Sequence, residues 1–287
     1  MILKVCHLVE MPLHFNKRGP KIFTNYQRVA LIILYKRSKK SLVDFISELY
    51  ETFWPKWLGL REIPGKSTLH DWIKLFEMPV IKVLHKAILP EKKPRLMSID
   101  GTGIDSWKRS RHYEKRLRDF GVHDPHTPYA KLDALIDTDT MLIHDHVLRI
   151  KPRHDVIGAE SIFKRGSFEG IKILGDKGYD SEKLHEIIRS KGGTFFAPVR
   201  KSSRKRPKGF YRKKCIKGDK DYGMRNCSES GFHALKQRFV PNLRCRLHYL
   251  KKREMGWIII VYNLMRRIEG GSDILKQFFI RLFAYSG

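Results

Sequence analysis

From residue 95 onward the apolar residues change spacing in a fixed order, and that order limits the possible folds more than any other feature. Arg95 to Ile104 (RLMSIDGTGI) is a short apolar run ending at Asp100-Gly101. Tyr129 to Ile136 (YAKLDALI) alternates, and Thr140 to Leu148 alternates again, as the strands of an antiparallel meander do. Asp155 to Arg165 reads as a helix and Ile171 to Leu174 as a short buried strand. A helix capped by Asp180 or Ser181 runs to about Ser190, and Thr194 to Pro198 forms a last strand. Helices return from about Arg225 to Val240 and from about Leu247 to Ile268.

Three strands, then helix, strand, helix, strand and a closing helix, is the order of a ribonuclease-H-like domain. Its fold class is α/β, more strictly an α+β mixed sheet flanked by helices. The preceding ninety residues read differently. Asn25 to Lys36 has apolar residues at helical spacing, Ser41 caps a second helix to about Thr52, and Ser67 caps a third from Thr68 to Phe76. This third helix carries Lys66, His70 and Lys74 at or near its start and along its length. Three short helices of this kind suggest a helix-turn-helix unit that contacts DNA. Pro90 and Pro94, with Lys92 and Lys93 between them, read as a linker. The expected domains are therefore 1–90 (helical, DNA-binding), 95–268 (ribonuclease-H-like) and 269–287 (a helical tail).

Charge narrows the partner. Lys and Arg number 58 against 30 acidic residues, a formal net of +28. Such an excess adds nothing to a fold and demands a polyanion, with nucleic acid the first candidate. Eleven basic residues and one acid lie between Arg200 and Lys220. Lys201, Arg204, Lys205, Arg206, Lys208, Arg212, Lys213 and Lys214 of this stretch are expected to meet the DNA backbone. The longest apolar run, Trp257 to Leu264, is far short of the roughly 20 residues a membrane span needs, and charges bracket it. With no secretory signal evident and no Cys-x-x-Cys pair among Cys6, Cys215, Cys227 and Cys245, the expectation is a cytoplasmic, nucleoid-associated protein with free thiols.

Cutting a phosphodiester at neutral pH needs charge neutralisation, an activated nucleophile and a stabilised leaving oxygen. Two magnesium-like ions roughly 3.5–4 Å apart supply all three. They want hard oxygen ligands brought together from separate elements. Asp100 closing the first strand and Asp176 after the fourth, in GDKGYDS, meet that need. The third candidate is Glu229 in YGMRNCSESGFHALK, where Tyr222, Arg225, Glu229 and Lys236 have the spacing Y-x2-R-x3-E-x6-K. On a helix these four share one narrow face beside an apolar stripe of Phe232, Leu235 and Phe239. Lys236 then lies about 10 Å along the axis from Glu229, too far for the metals and suited to a phosphate. Asp180 reads as a helix cap, and Asp137 and Asp139 as hairpin residues. The histidines His123, His126, His144, His146 and His154 have no supporting third ligand at recognisable spacing.

The quartet, with Asp100 in IDGTGIDS and Asp176 in GDKGYDS, closely resembles the DDE transposases of bacterial and archaeal insertion sequences, in the group with a Y-R-E-K signature. The likeness spans about Arg95 to Ile268. Some members of that group carry a large domain between the second Asp and the Glu; here only 52 residues intervene, so none is expected. The resemblance implies that Asp100, Asp176 and Glu229 hold two Mg2+ (or Mn2+) ions. It implies that Arg225 and Lys236 bind the backbone of the element's end and that Tyr222 contacts DNA near the cut. It further implies double-stranded DNA, terminal inverted repeats and target, as partner, and a homodimer when two ends are synapsed. Two other readings keep the same residues: a catalytically inactive DNA-binding descendant, and a ribonuclease-H-like nuclease that cuts without joining.

Overall fold

A computed structural model describes residues 1–15, 18–106, 115–116, 119–121, 129–151, 153–200, 207–239 and 242–270. The chain divides into two compact units, one formed by Met1–Pro90 with the chain from Cys245 onward, the other by Glu91–Arg244.

The first unit is helical: α1 (Ile2–Leu8), α2 (Asn25–Ser38), α3 (Leu42–Glu51), α4 (Trp54–Trp57), α5 (Lys66–Leu75), α6 (Met78–Ile88) and, from the end of the chain, α11 (His248–Gly270). Thr24 and Gln27 close a reciprocal capping box on α2, and the Ser41 hydroxyl accepts from the Asp44 amide at the start of α3. The third helix begins two residues earlier than its spacing predicts. Gly65 rather than Ser67 is its N-cap, because the Pro64-Gly65 break lets the helix start at Lys66 directly. Residues 52–65, with α4 among them, separate α3 from α5, which is far longer than the three- or four-residue turn of a helix-turn-helix. Lys66, His70 and Lys74 lie on the exposed face of α5, opposite the buried Leu69, Trp72 and Ile73.

Helix α11 packs on α2, α5 and α6. Its Trp257–Leu264 run is buried, with the Trp257 ring edge-on to Phe76 at 5.6 Å. A domain limit at residue 268 would assign this helix to the sheet unit, whereas its apolar surface is covered by the N-terminal helices. No described helix is long and apolar enough to cross a membrane. The tail at 271–287 lies outside the described residues.

The second unit is built on a five-stranded sheet in the order β3-β2-β1-β4-β5. Its strands are β1 (Leu96–Asp105), β2 (Tyr129–Asp137), β3 (Ile143–Arg149), β4 (Lys172–Gly175) and β5 (Thr194–Phe196). Strands β1, β2 and β3 pair antiparallel, while β4 and β5 join β1 in parallel. The parallel pairs need crossovers, which α7 (Asp155–Phe163) and α8 (Glu182–Arg189) supply. The fold is ribonuclease-H-like.

Side chains alternate across this sheet. On one face Met97, Ile99, Leu135, Ile173 and Phe195 pack against Ile162 and Phe163 of α7 and Leu184 and Ile188 of α8. Burying each of these large groups contributes about 1.5–3 kcal/mol. On the other face Leu96, Leu174 and Phe196 meet Cys215 of the short helix α9 (Phe210–Cys215) and Tyr222. Helix α10 (Cys227–Arg238) packs against β1 through a stripe in which Phe232 and Leu235 are buried, as their helical spacing predicts.

Candidate active site

Pairing decides where the acids go. The β1–β4 ladder ends at Ile99 and Gly175, and the next residue of the chain after each is an aspartate, Asp100 and Asp176. Strand β1 itself continues to Asp105 on β2 alone. Asp100 is thus a mid-strand residue, not a strand end, and what stops beside it is the parallel neighbour.

Each aspartate is oriented by a nearby backbone amide. Asp100 accepts from the Gly101 amide at 2.8 Å and from the Ser228 hydroxyl of α10 at 2.9 Å. Asp176 caps the 3-10 turn Lys177–Tyr179, its Oδ1 accepting from the Gly178 amide at 2.6 Å. Burial raises the Asp100 pKa above the usual carboxylate value. The Gly101 amide, Ser228 and Arg225 oppose that rise, and the negative charge of Asp176 adds to it. The charge of Asp176 thus reaches Asp100.

The third acid comes from the opposite element. The expected single helix carrying the quartet is split, with a 3-10 turn over Tyr222–Asn226 and α-helix only from Cys227. The tighter turn rotates Tyr222 off the shared face and into the sheet, where its ring meets Phe196 edge-on at 5.5 Å. Arg225 and Glu229 still adjoin, with Arg225 donating to Glu229 Oε1 at 3.1 Å and to Asp100 Oδ2 at 3.2 Å. Burial works against the Arg225 charge, yet Asp100, Asp176 and Glu229 among its neighbours hold its pKa above the ordinary value. One guanidinium thus stands in the field of all three candidate acids. The Glu229 side chain is 66% exposed against 15% for Asp100, so the aspartates are fixed and the glutamate is at the surface.

Spacing did not show two supports of this arrangement. Ser228 joins α10 to Asp100, and Lys172 at the start of β4 holds Asp219 and Asp221 at 2.5 and 2.9 Å, anchoring the chain just before Tyr222. An Asp-x-Asp pair ahead of the signature was the only available signal for the second, and it names no partner.

Among the described basic residues, Lys208, Lys213 and Lys214 are exposed, and Lys236 is half-buried. Arg212 is engaged internally, forked onto Asp180 at 2.6 and 2.7 Å. Asp180 therefore holds Arg212 and the Arg200 amide rather than capping α8, where Ser181 is the N-cap without a side-chain bond. Lys201, Arg204, Lys205 and Arg206 lie outside the described residues, as do His123 and His126. Among the described residues no group of three or more His, Cys, Asp or Glu side chains is gathered closely enough to hold a metal ion. The cysteines are free, and burial pushes the Cys227 thiol beside the site up to about 11, leaving it protonated at neutral pH.

No curated protein matches the chain in sequence. Among solved structures it is similar to a piggyBac transposase, seen by cryo-EM in a synaptic complex with hairpin DNA. That match has 12% identity and a TM-score of 0.43 over 99% of this chain and 78% of the other. The family described as the transposase DDE domain matches residues 91–264, more than half of the 287 residues. The chain belongs to that family.

Proposed function

We propose that this chain is an active transposase: it binds the ends of its insertion sequence, cleaves phosphodiester bonds there with two divalent ions, and joins the freed 3′-hydroxyls to target DNA. It works as a homodimer on the synapsed ends, in the cytoplasm at the nucleoid. The observation that carries this reading is the lodging of one cation, the Arg225 guanidinium, against Asp100 and Glu229 and in the field of Asp176.

The donors suit magnesium or manganese, since all three are hard carboxylate oxygens and the site already stabilises a positive group. Bound there, the ions would neutralise phosphate charge and activate the attacking oxygen. The chain's own part is positional. Gly101 and Ser228 keep the Asp100 carboxylate facing α10, and Gly178 keeps that of Asp176 fixed on its turn. Glu229, at the surface, closes the set from α10. Arg225 passes from the acids to a DNA phosphate as DNA enters, which its planar fork suits. Lys236, one face along, holds the backbone of the element's end, with Lys208, Lys213 and Lys214 extending the contact and Tyr222 near the cut. Lys66, His70 and Lys74 form a second DNA-contacting face on α5.

The test is Mn2+-dependent nicking of plasmid DNA carrying the element's ends, followed by strand transfer of a precleaved end. Nicking that disappears in Asp176→Asn, together with strand transfer by the wild type, supports the reading. Nicking without transfer identifies a nuclease, and DNA binding with neither identifies an inactive descendant.

A further inference from the structure

Beneath the Asp176 turn lies a group of charges that the three-acid site does not use. Lys131 of β2 bonds Asp155, the first residue of α7, and the Arg153 carbonyl at 3.1 Å, and stands 3.6 Å from Asp133. Only 14% of the Lys131 side chain is exposed. The Asp133 carboxylate is fully buried, with no hydrogen-bond partner on either oxygen. Its charges are Lys131 and, at 4.0 Å, Arg149.

Asp155 uses one oxygen for Lys131 and turns the other toward Gly178. A Cβ at 178 would overlap that second oxygen and stand 2.7 Å from Asp176 Oδ1. Asp155, Gly178 and Asp176 are thus stacked with no room for a methyl group. From the other side Arg200 donates to the Lys177 and Gly178 carbonyls at 2.7 and 3.1 Å. The turn that aims Asp176 is thus held at its carbonyls by Arg200 and abutted at Gly178 by Asp155, whose other oxygen is bound by the Lys131 ammonium.

Lys131 could serve only to fasten α7 to the sheet, as many partly buried pairs do. The direction of the second Asp155 oxygen favours more. A fastening pair has no need to abut the glycine whose amide orients Asp176. Nor would it bring another carboxylate near Asp176 and then neutralise it.

We propose that Lys131 and Asp155 are positioning residues for Asp176: Lys131 holds the Asp155 carboxylate against Gly178, and this contact sets the turn that presents Asp176 to a divalent cation. The inference rests on the reading of Asp176 as a metal ligand. Outer groups that orient metal ligands carry 10- to 100-fold in affinity.

The experiment is calorimetric titration of the full chain with Mn2+ alone, without DNA, on the wild type and on Lys131→Met, Lys131→Arg, Gly178→Ala and Asp176→Asn. A pure charge effect would tighten Mn2+ binding in Lys131→Met, because a nearby positive charge is gone. Positioning gives the opposite sign: about tenfold or more weaker binding in Lys131→Met and Gly178→Ala, with recovery in Lys131→Arg. Wild-type or tighter binding in a folded Lys131→Met overturns the inference. If Lys131→Met fails to fold, Lys131→Gln, which also removes the charge, decides in the same way. Asp176→Asn separates the two levels. Lost binding there with full binding in Lys131→Met sinks this inference alone, whereas retained binding in Asp176→Asn sinks the reading beneath it.

Discussion

Each of the two units buries a charged pair, and the two pairs are treated in opposite ways. In the helical unit Glu254 is buried and satisfied: Lys36 donates to one oxygen at 2.8 Å and the Cys245 amide to the other at 2.9 Å. Burial works against its ionised form, yet Lys36 and these bonds hold its pKa below the ordinary value. In the sheet unit Asp133 is buried just as deeply, but its cations stand off at 3.6 and 4.0 Å and no hydrogen bond reaches it. Burial there wins over Lys131 and Arg149 and raises the pKa to about 6. The first pair fixes a fold. The second leaves a buried carboxylate without a hydrogen bond directly beneath Gly101 of the candidate site, an arrangement that calls for an explanation beyond fold stability.

The contrast can be broken by substitution. The largest effect is expected for Lys36→Met, which takes the nearest cation from a buried carboxylate and should cost about 3–5 kcal/mol. Hydrogen exchange of α2 and α11 amides would read it, and a change under 1 kcal/mol would show that the pair is dispensable. A smaller effect, with a pH signature, is expected at Asp133. Its folded pKa lies above the unfolded one, so the folded state holds the extra proton between them. Stability from this group therefore falls by about 3 kcal/mol as pH rises from about 4 to about 6. Asp133→Asn lacks that fall and should gain on the wild type across the same window, measured by exchange of β2 amides. A difference independent of pH would mean that Asp133 does not titrate there. The smallest effect belongs to the surface: Ser41→Ala removes only the cap of α3 and should lower stability by about 1 kcal/mol. A melting temperature within error of the wild type would contradict it.

Much of the second unit was legible because its signals are local. Alternation and short apolar runs located all five strands, and the GDKGYDS turn and the Arg225–Glu229 spacing needed only near neighbours to make sense. What escaped depends on pairing over long distances. That Asp100 lies mid-strand follows from β1 running on beside β2 as far as the Asp105–Tyr129 pair. Ser228 reaches Asp100 across 128 residues. The fate of Tyr222 turned on a choice between 3-10 and α geometry that residue spacing does not encode. Helix α11 was legible as a helix with an apolar run, but such a run does not say which unit will cover it. Arg212 illustrates the same limit in charge patterns: one member of a basic run is taken by an interior acid, and composition treats it like its neighbours.

The central claim is that Asp100, Asp176 and Glu229 act as one divalent-ion site. The most direct measurement is Mn2+-dependent DNA nicking by Asp100→Asn, Asp176→Asn and Glu229→Gln, each checked for retained binding of the element's ends. Cleavage lost in all three, with end binding close to wild type, is the outcome expected. Cleavage persisting in any one of them would remove that residue from the site and contradict the claim.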